Sequence, residues 1–349
     1  MTNTGFVFDV LIPVGKIIAV ILYPMLMTIV MIWLERRVVA LMQKRLGPNR
    51  VGFQGILQPF ADAFKLFFKE DIMQDQADAL LFKVAPVMVM FSSLLAFSFV
   101  PLGEPIRIGT YQLTLWIAQS PVGLLLVLGL SSISVFGVIF GGWASNSKYP
   151  LMGALRSVVQ ILSYEIPIGL TVLTVIFFAR SIDLVEIVNH QHQAKIWFGF
   201  MLPVSFVVFW ISVIAETNRA PFDLVEAETE LVGGYHTEYS GFRFALFYLA
   251  EYLNMFNVSA LAVTLFFGGW LGPDWGFPSW IAWVMPFVWF FLKTFVLLFV
   301  FIWLRATLPR LRYDQLMDLG WKRLIPAALI WLMLFALVSA YRRFGAPWS

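Results

Sequence analysis

Eight apolar runs lie along the chain, roughly at 11–34, 80–100, 120–141, 157–179, 199–215, 244–268, 284–304 and 324–341. Each is close to the length of helix that crosses a bilayer, about 20 residues. The pattern changes after Pro59, where Phe60, Phe64, Phe67 and Phe68 recur on one helical face while Asp62, Lys65 and Lys69 fall on another. This predicts an amphipathic helix over about 56–70, opened by Pro59 in its first turn and lying in the membrane interface. The expectation is an all-α membrane protein with eight transmembrane helices plus one interfacial helix, forming a single polytopic domain over 1–349. Segments 101–119 and 180–198 read as short surface connections, and 268–279 as a Trp- and Gly-rich interfacial turn. The first run is too long for a signal-peptide core, and Glu35-Arg36-Arg37 follows it in place of a small-residue cleavage site, so it is expected to be retained.

Composition supports this pattern. The chain is 60% apolar with a mean hydropathy of +0.81, and only 13% of its residues are charged, about half the usual share in soluble domains. Of the 24 Lys and Arg residues, 17 fall in the loops after runs 1, 3, 5 and 7 or at adjoining helix ends. The positive-inside rule then puts both termini outside and an acidic stretch at about 216–243 inside. The net charge of +3 is therefore a topology signal and carries no nucleic-acid reading. There is no Cys, so the chain has no thiolate for an iron–sulfur cluster, and no Gly-rich phosphate loop is present. Redox chemistry is expected to belong to partner chains, with no metal held by this one.

Candidate chemistry is concentrated in acids. Residues 215–251 hold seven of the 21 carboxylates: Glu216, Asp223, Glu226, Glu228, Glu230, Glu238 and Glu251, opposed by Arg219 and Arg243. A charge run is ordinarily a solvated face. Here Phe222, Leu224, Val225, Leu231 and Val232 are interleaved, which suggests an irregular loop folded against the bundle, tolerated at membrane depth only where it is buried or lines a wet cavity. Glu165 and Glu251 fall inside apolar runs, where a carboxylate costs at least about 2.5 kcal/mol. Each is either a hydrogen-bonded packing group or a proton-exchanging group facing the bundle interior. Asn254, one turn after Glu251, is placed to hold it. Lys293 is the one basic residue well inside a run, and snorkelling outwards is the plain explanation. Ser131, Ser132 and Ser134 read as close-approach residues between helices.

Four stretches together, 35–70 (ERRVVALMQKRLGPNRVGFQGILQPFADAFKLFFKE), 142–165, 215–241 and 305–322 (RATLPRLRYDQLMDLGWK), resemble one family of membrane subunits. It is the H-type subunit of proton-pumping NADH:quinone oxidoreductase, respiratory complex I, the counterpart of mitochondrial NADH dehydrogenase subunit 1. The resemblance covers essentially the whole chain. It implies a membrane subunit that docks a peripheral redox arm, which carries FMN and iron–sulfur clusters, and forms the lipid-side part of a quinone chamber. On that basis Glu35, Arg36, Phe60, Asp62, Phe64, Lys65, Phe67, Glu216 and Arg219 are expected at the chamber or its mouth. Glu165, Glu216, Asp223, Glu226, Glu228, Glu230 and Glu251 are expected to form a proton relay. Many bacterial members of the family carry a Glu in the motif where this chain has Ser134. The implied location is a bacterial inner membrane. Two other classes fit parts of the pattern: the membrane subunit of an energy-converting hydrogenase or reduced-deazaflavin dehydrogenase, and a stand-alone ion-coupled transporter.

Overall fold

The computed structural model of the protein describes residues 11–108, 111–224, 233–273, 276 and 278–344. In chain order its main helices are α1 (Ile12–Met42), α2 (Gln58–Phe68), α3 (Ala79–Phe97), α4 (Gly123–Ala144), α5 (Lys148–Ala179), α6 (Leu184–Ala194), α7 (Phe198–Met201), α8 (Pro203–Glu216), α9 (Gly241–Phe266), α10 (Met285–Thr307), α11 (Tyr313–Asp318) and α12 (Ile325–Phe344). Among the described residues, seven helices are long and apolar enough to cross a membrane, the last formed by α11 and α12 run together through a π-helical turn at Leu319–Leu324. The eighth predicted span is α8, which has only 14 residues, about 21 Å at about 1.5 Å per residue. A bend at Leu202 separates it from α7, and together these cover the predicted run.

Two predicted boundaries move. α1 continues from the apolar run through Glu35 and Arg36 to Met42, because Glu-Arg-Arg-Val-Val-Ala-Leu-Met contains no helix breaker before Gly47-Pro48. α5 starts at Lys148, nine residues before the predicted run begins at 157. Both helices exceed 30 residues and so reach beyond a hydrocarbon core about 30 Å thick. The connections predicted to be plain surface loops have structure of their own. Residues 106–113 form a small antiparallel pair, β1 (Ile106–Ile108) with β2 (Tyr111–Leu113), in which Arg107 is opposite Gln112. In α6, Leu184, Ile187, Val188 and Gln191 are buried at helical spacing.

α9 is the central post of the bundle. Of its most apolar 18 residues 78% are buried, against no more than 50% in the other six long helices. It packs against α1, α2, α3, α6, α7, α8 and α10. α3 and α4 lie close together at Gly137, where a Cβ would come within 2.4 Å of Val89 and 2.9 Å of the Ala85 carbonyl oxygen. Lys293 on α10 donates to the carbonyls of Phe267 (2.7 Å), Gly269 (3.1 Å) and Leu271, and its ammonium sits 4.8 Å from the Trp197 ring centre. It therefore satisfies the carbonyls left over at the end of α9.

α5 fixes the segment that leaves α8. Gln160 donates its carboxamide to the carbonyls of Ala215 (2.8 Å) and Phe222 (2.9 Å), and Asn218 donates to Ser157 at 2.8 Å. Thr217, Arg219, Phe222, Asp223 and Leu224 are all buried, and the Ala220–Pro221 peptide is cis. For residues 217–224 the predicted loop folded against the bundle is therefore present. Glu226, Glu228 and Glu230 lie outside the described residues. The segment's far limb returns to α5 at Gly153, where a Cβ would approach Gly234 Cα to 2.8 Å.

If Gln160 pins this loop, Gln160→Leu removes the two hydrogen bonds that tie the Ala215 and Phe222 carbonyls to α5 and leaves each carbonyl only a local backbone donor, a loss of about 0.5–1.5 kcal/mol per bond. The variant should melt at a lower temperature and exchange amide hydrogens faster at 217–224. Wild-type protection at those amides would show that the loop is held elsewhere.

Candidate functional site

Four segments bring charge to one end of the bundle. α1 supplies Glu35, α10 supplies Arg305, the loop after α8 supplies Arg219 and α9 supplies Glu251 with Tyr252. Glu35 is 7% exposed. Its carboxylate pairs with Arg305, lies 3.6 Å from Arg219 Nη1 and accepts from the Tyr252 hydroxyl at 2.8 Å. Arg219 Nε in turn lies 2.5 Å from Glu251 Oε1, with its guanidinium 4.2 Å from the Tyr252 ring centre. The charges alternate, Arg305, Glu35, Arg219, Glu251, so each buried ion touches one of opposite sign. Without that, burial would cost several kcal/mol per ion. The Tyr248 hydroxyl adds to the row, 3.1 Å from that of Tyr252.

The row separates two spaces. On one side is an open pocket of about 420 Å³ lined by Glu35, Arg36, Arg45, Tyr248, Tyr252 and Arg305 together with Val39, Ala40 and the 46–48 turn. On the other is a largely enclosed cavity of about 80 Å³, room for more than one water at about 30 Å³ of liquid each. Ser131, Ser134, Glu216, Asn218, Tyr235, Glu251, Asn254 and Asn257 give this cavity its polar wall. Glu251 thus belongs both to the charge row and to the enclosed cavity. Glu216 is close enough to Glu165 for the two carboxyl groups to repel each other. Glu165 accepts a hydrogen bond from Ser132 on α4, and its other side faces an open groove on α5 between Leu162, Gly169 and Leu173.

The amphipathic helix stands beside the open pocket. Asp62 on α2 pairs with Arg36 and accepts from Gln58 at 3.1 Å, which brings together two of the residues expected at the chamber mouth. Phe60, Phe64 and Phe68 are exposed, Phe64 by 64%, while Phe67 also packs on Phe242 with ring centres 5.5 Å apart. Lys65 is exposed on the opposite side.

Several expected placements change. Glu216, expected at the chamber or its mouth, opens onto the enclosed cavity, and Arg219 lies between Glu35 and Glu251. Asp223 turns away from both spaces to pair with Arg310 at 3.2 Å, because the 308–312 link crosses the loop there and Leu311 N bonds to the Pro221 carbonyl. Asn254 accepts from Ser93 on α3 at 2.7 Å, while Arg219 holds Glu251. In the sequence Arg305 registers only as a topology charge, and Tyr248, Tyr252 and the contact of Ser132 with Glu165 do not register at all. A usable signal exists for Arg305: it closes one apolar run as Glu35 closes another.

An apolar helical bundle with a row of ion pairs, running from exposed Arg305 through buried Glu35 and Arg219 to Glu251, between an open pocket and an enclosed cavity defines a polytopic membrane protein with charge carried into its interior. The chain belongs to the NADH dehydrogenase family, whose model matches residues 15–336. It is 47% identical over 327 residues to an H-type subunit of the NADH-quinone oxidoreductase of Geobacter metallireducens, an alignment that covers 94% of this chain and 96% of that protein.

Removing Arg219 should take the guanidinium away from Glu251 while leaving Glu35 with Arg305 and the Tyr252 hydroxyl. Arg219→Gln should lower stability by about 3–5 kcal/mol, the cost of an uncompensated buried charge, and adding Glu251→Gln should restore part of the loss. Strictly additive effects in thermal melts of the three variants would show that the two residues are not coupled.

Proposed function

We propose that this chain is the membrane subunit of a proton-translocating NADH-quinone oxidoreductase, in which it forms the lipid-side quinone chamber and converts quinone reduction into proton movement. The observation that carries this reading is the alternating row of Arg305, Glu35, Arg219 and Glu251, which connects the open pocket to the enclosed cavity. A quinone needs an apolar approach, and the phenylalanine face of α2 offers one beside the pocket. Its reduction to quinol takes up two electrons and two protons. The electrons come from NADH through FMN and iron–sulfur clusters in partner chains. Negative charge that develops on the reduced headgroup faces Arg36 and Arg305. That charge competes with Glu35 for its guanidinium partners, and the change passes through Arg219 to Glu251. Glu251, Glu216 and Glu165 then take up and pass on protons through the polar cavity, with Asp223, Glu226, Glu228 and Glu230 as the acidic approach to it.

The same reading completes the membrane arrangement. α8 with α7 serves as an eighth span, both termini lie on the side opposite the charge row, and the chain is one polytopic domain of a bacterial inner membrane. The other membrane subunits and the peripheral arm of the complex are its partners. The hydrogenase-type alternative lacks a use for the apolar face of α2, and a stand-alone transporter would have no use for a pocket open beside the bundle.

Two outcomes are expected in the assembled complex. Glu251→Gln keeps shape and hydrogen bonding but cannot titrate, so it should slow quinone reduction and proton pumping together, whereas Glu251→Asp should retain more of both. Oxidation of NADH by a soluble artificial acceptor should be unaffected in either variant, since that reaction needs only the peripheral arm. Pumping by Glu251→Gln at the wild-type rate and ratio would remove Glu251 from the relay. Separately, Phe64→Asp should raise the apparent KM for long-tailed quinone, and Phe64 is a cleaner probe than Phe67, whose ring also packs on Phe242. An unchanged KM would place the quinone's approach away from α2.

A further inference from the structure

Glu165 is held differently from the ion-paired acids at this end of the bundle. Glu35, Glu251, Asp62 and Asp223 each pair with a guanidinium, but among the described residues no cation pairs with Glu165. Its partner is the Ser132 hydroxyl of α4. That hydroxyl has one proton and a second acceptor in reach, the Leu128 carbonyl one turn back at 3.1 Å. Ser131 donates to the same carbonyl at 2.7 Å from the cavity side of α4, and Ser134 donates to the Ser131 carbonyl at 2.6 Å. The short serine cluster therefore stands between Glu165 and the cavity that Glu216 and Glu251 line.

We infer that Ser132 is a positioning residue for Glu165, holding its carboxyl in the same place whether or not it carries a proton. With Glu165 ionised, the Ser132 hydroxyl donates to the carboxylate. With Glu165 protonated, the acid donates to Ser132 Oγ, and the serine proton turns to the Leu128 carbonyl, a bond serines in helices readily make. Both states keep a hydrogen bond between Ser132 and Glu165 without moving a helix. A guanidinium in the same place would favour the ionised state, and an alanine would satisfy neither. A group that must load and release a proton in each cycle needs this indifference, because a partner that favours one state slows passage through the other. The charge of Glu216 repels that of Glu165, so the hydroxyl also keeps the Glu165 carboxyl from turning away towards the open groove.

The inference rests on the relay reading above, and the test separates the two. Quinone reductase and proton-pumping rates are measured in the assembled complex for Ser132→Ala, which cannot overpack, for Ser132→Thr, which keeps the hydroxyl, and for Glu165→Gln. Oxidation of NADH by a soluble acceptor reports whether the peripheral arm is intact. Ser132→Ala should lower kcat by about tenfold or more, as loss of a hydrogen bond to a charged group does, with the quinone KM unchanged, and Ser132→Thr should recover most of it. If Glu165→Gln is impaired while Ser132→Ala matches wild type, the positioning role is overturned and the relay stands. If Ala and Thr are equally impaired in assembled complex, the hydroxyl is not what matters and the inference also fails. Wild-type behaviour of Glu165→Gln would remove Glu165 from the relay and the role of Ser132 with it.

Discussion

Arg219 is 6% exposed and carries a full charge into a bundle of apolar helices. It is tolerable there because it has Glu35 on one side, Glu251 on the other and the face of Tyr252 beneath it. These groups come from different segments, so the charge can be met only when α1, α9 and the loop after α8 are all in position. The loop is in position because Gln160 holds the carbonyls before and after its turn. Breaking any one link exposes an uncompensated ion, which is far costlier than losing an apolar contact. The charge row thus ties the loop conformation to the helix packing.

Much of this fold is legible in the sequence, for a clear reason. Hydropathy is a strong signal over a bilayer's thickness, and seven of the eight predicted runs became long helices. The errors fall where the membrane stops dictating. Residues 35–42 stay helical after leaving the apolar run, since leaving hydrocarbon does not end a helix; a breaker does. α6 escapes the pattern because its Leu184, Ile187, Val188 and Gln191 spacing is too short to register as a span. Within the site, Glu165, Glu251 and Arg36 with Asp62 stand out as charges in unusual places. Arg305 is harder to see, because its partner Glu35 is 270 residues away and the one clue, that each closes an apolar run, shows only when the two runs are compared.

The two spaces differ in a way that suits different reactants. The pocket beside Arg36 and Arg305 is open and large enough for an aromatic headgroup, and it presents positive charge. The enclosed cavity is small and sets a few polar groups, Glu216, Glu251, Asn254 and Ser131 among them, in an otherwise apolar wall, which gives water a place to bond. A chain that kept both functions in one space would let the larger reactant displace the water. Keeping them apart requires that something other than diffusion carry the signal between them.

The charge row meets that requirement with little motion. Two ions separated by one guanidinium interact by about 2 kcal/mol at an effective dielectric near 20. Since about 1.4 kcal/mol is a tenfold shift in an equilibrium, neutralising or displacing charge at Glu35 is enough to change how firmly Arg219 holds Glu251. Arg219 meets the two carboxylates through different nitrogens, Nε at 2.5 Å from Glu251 and Nη1 at 3.6 Å from Glu35. How firmly each acid is held therefore depends on where one shared guanidinium sits, and in the proposed function that guanidinium is the physical link between the two spaces.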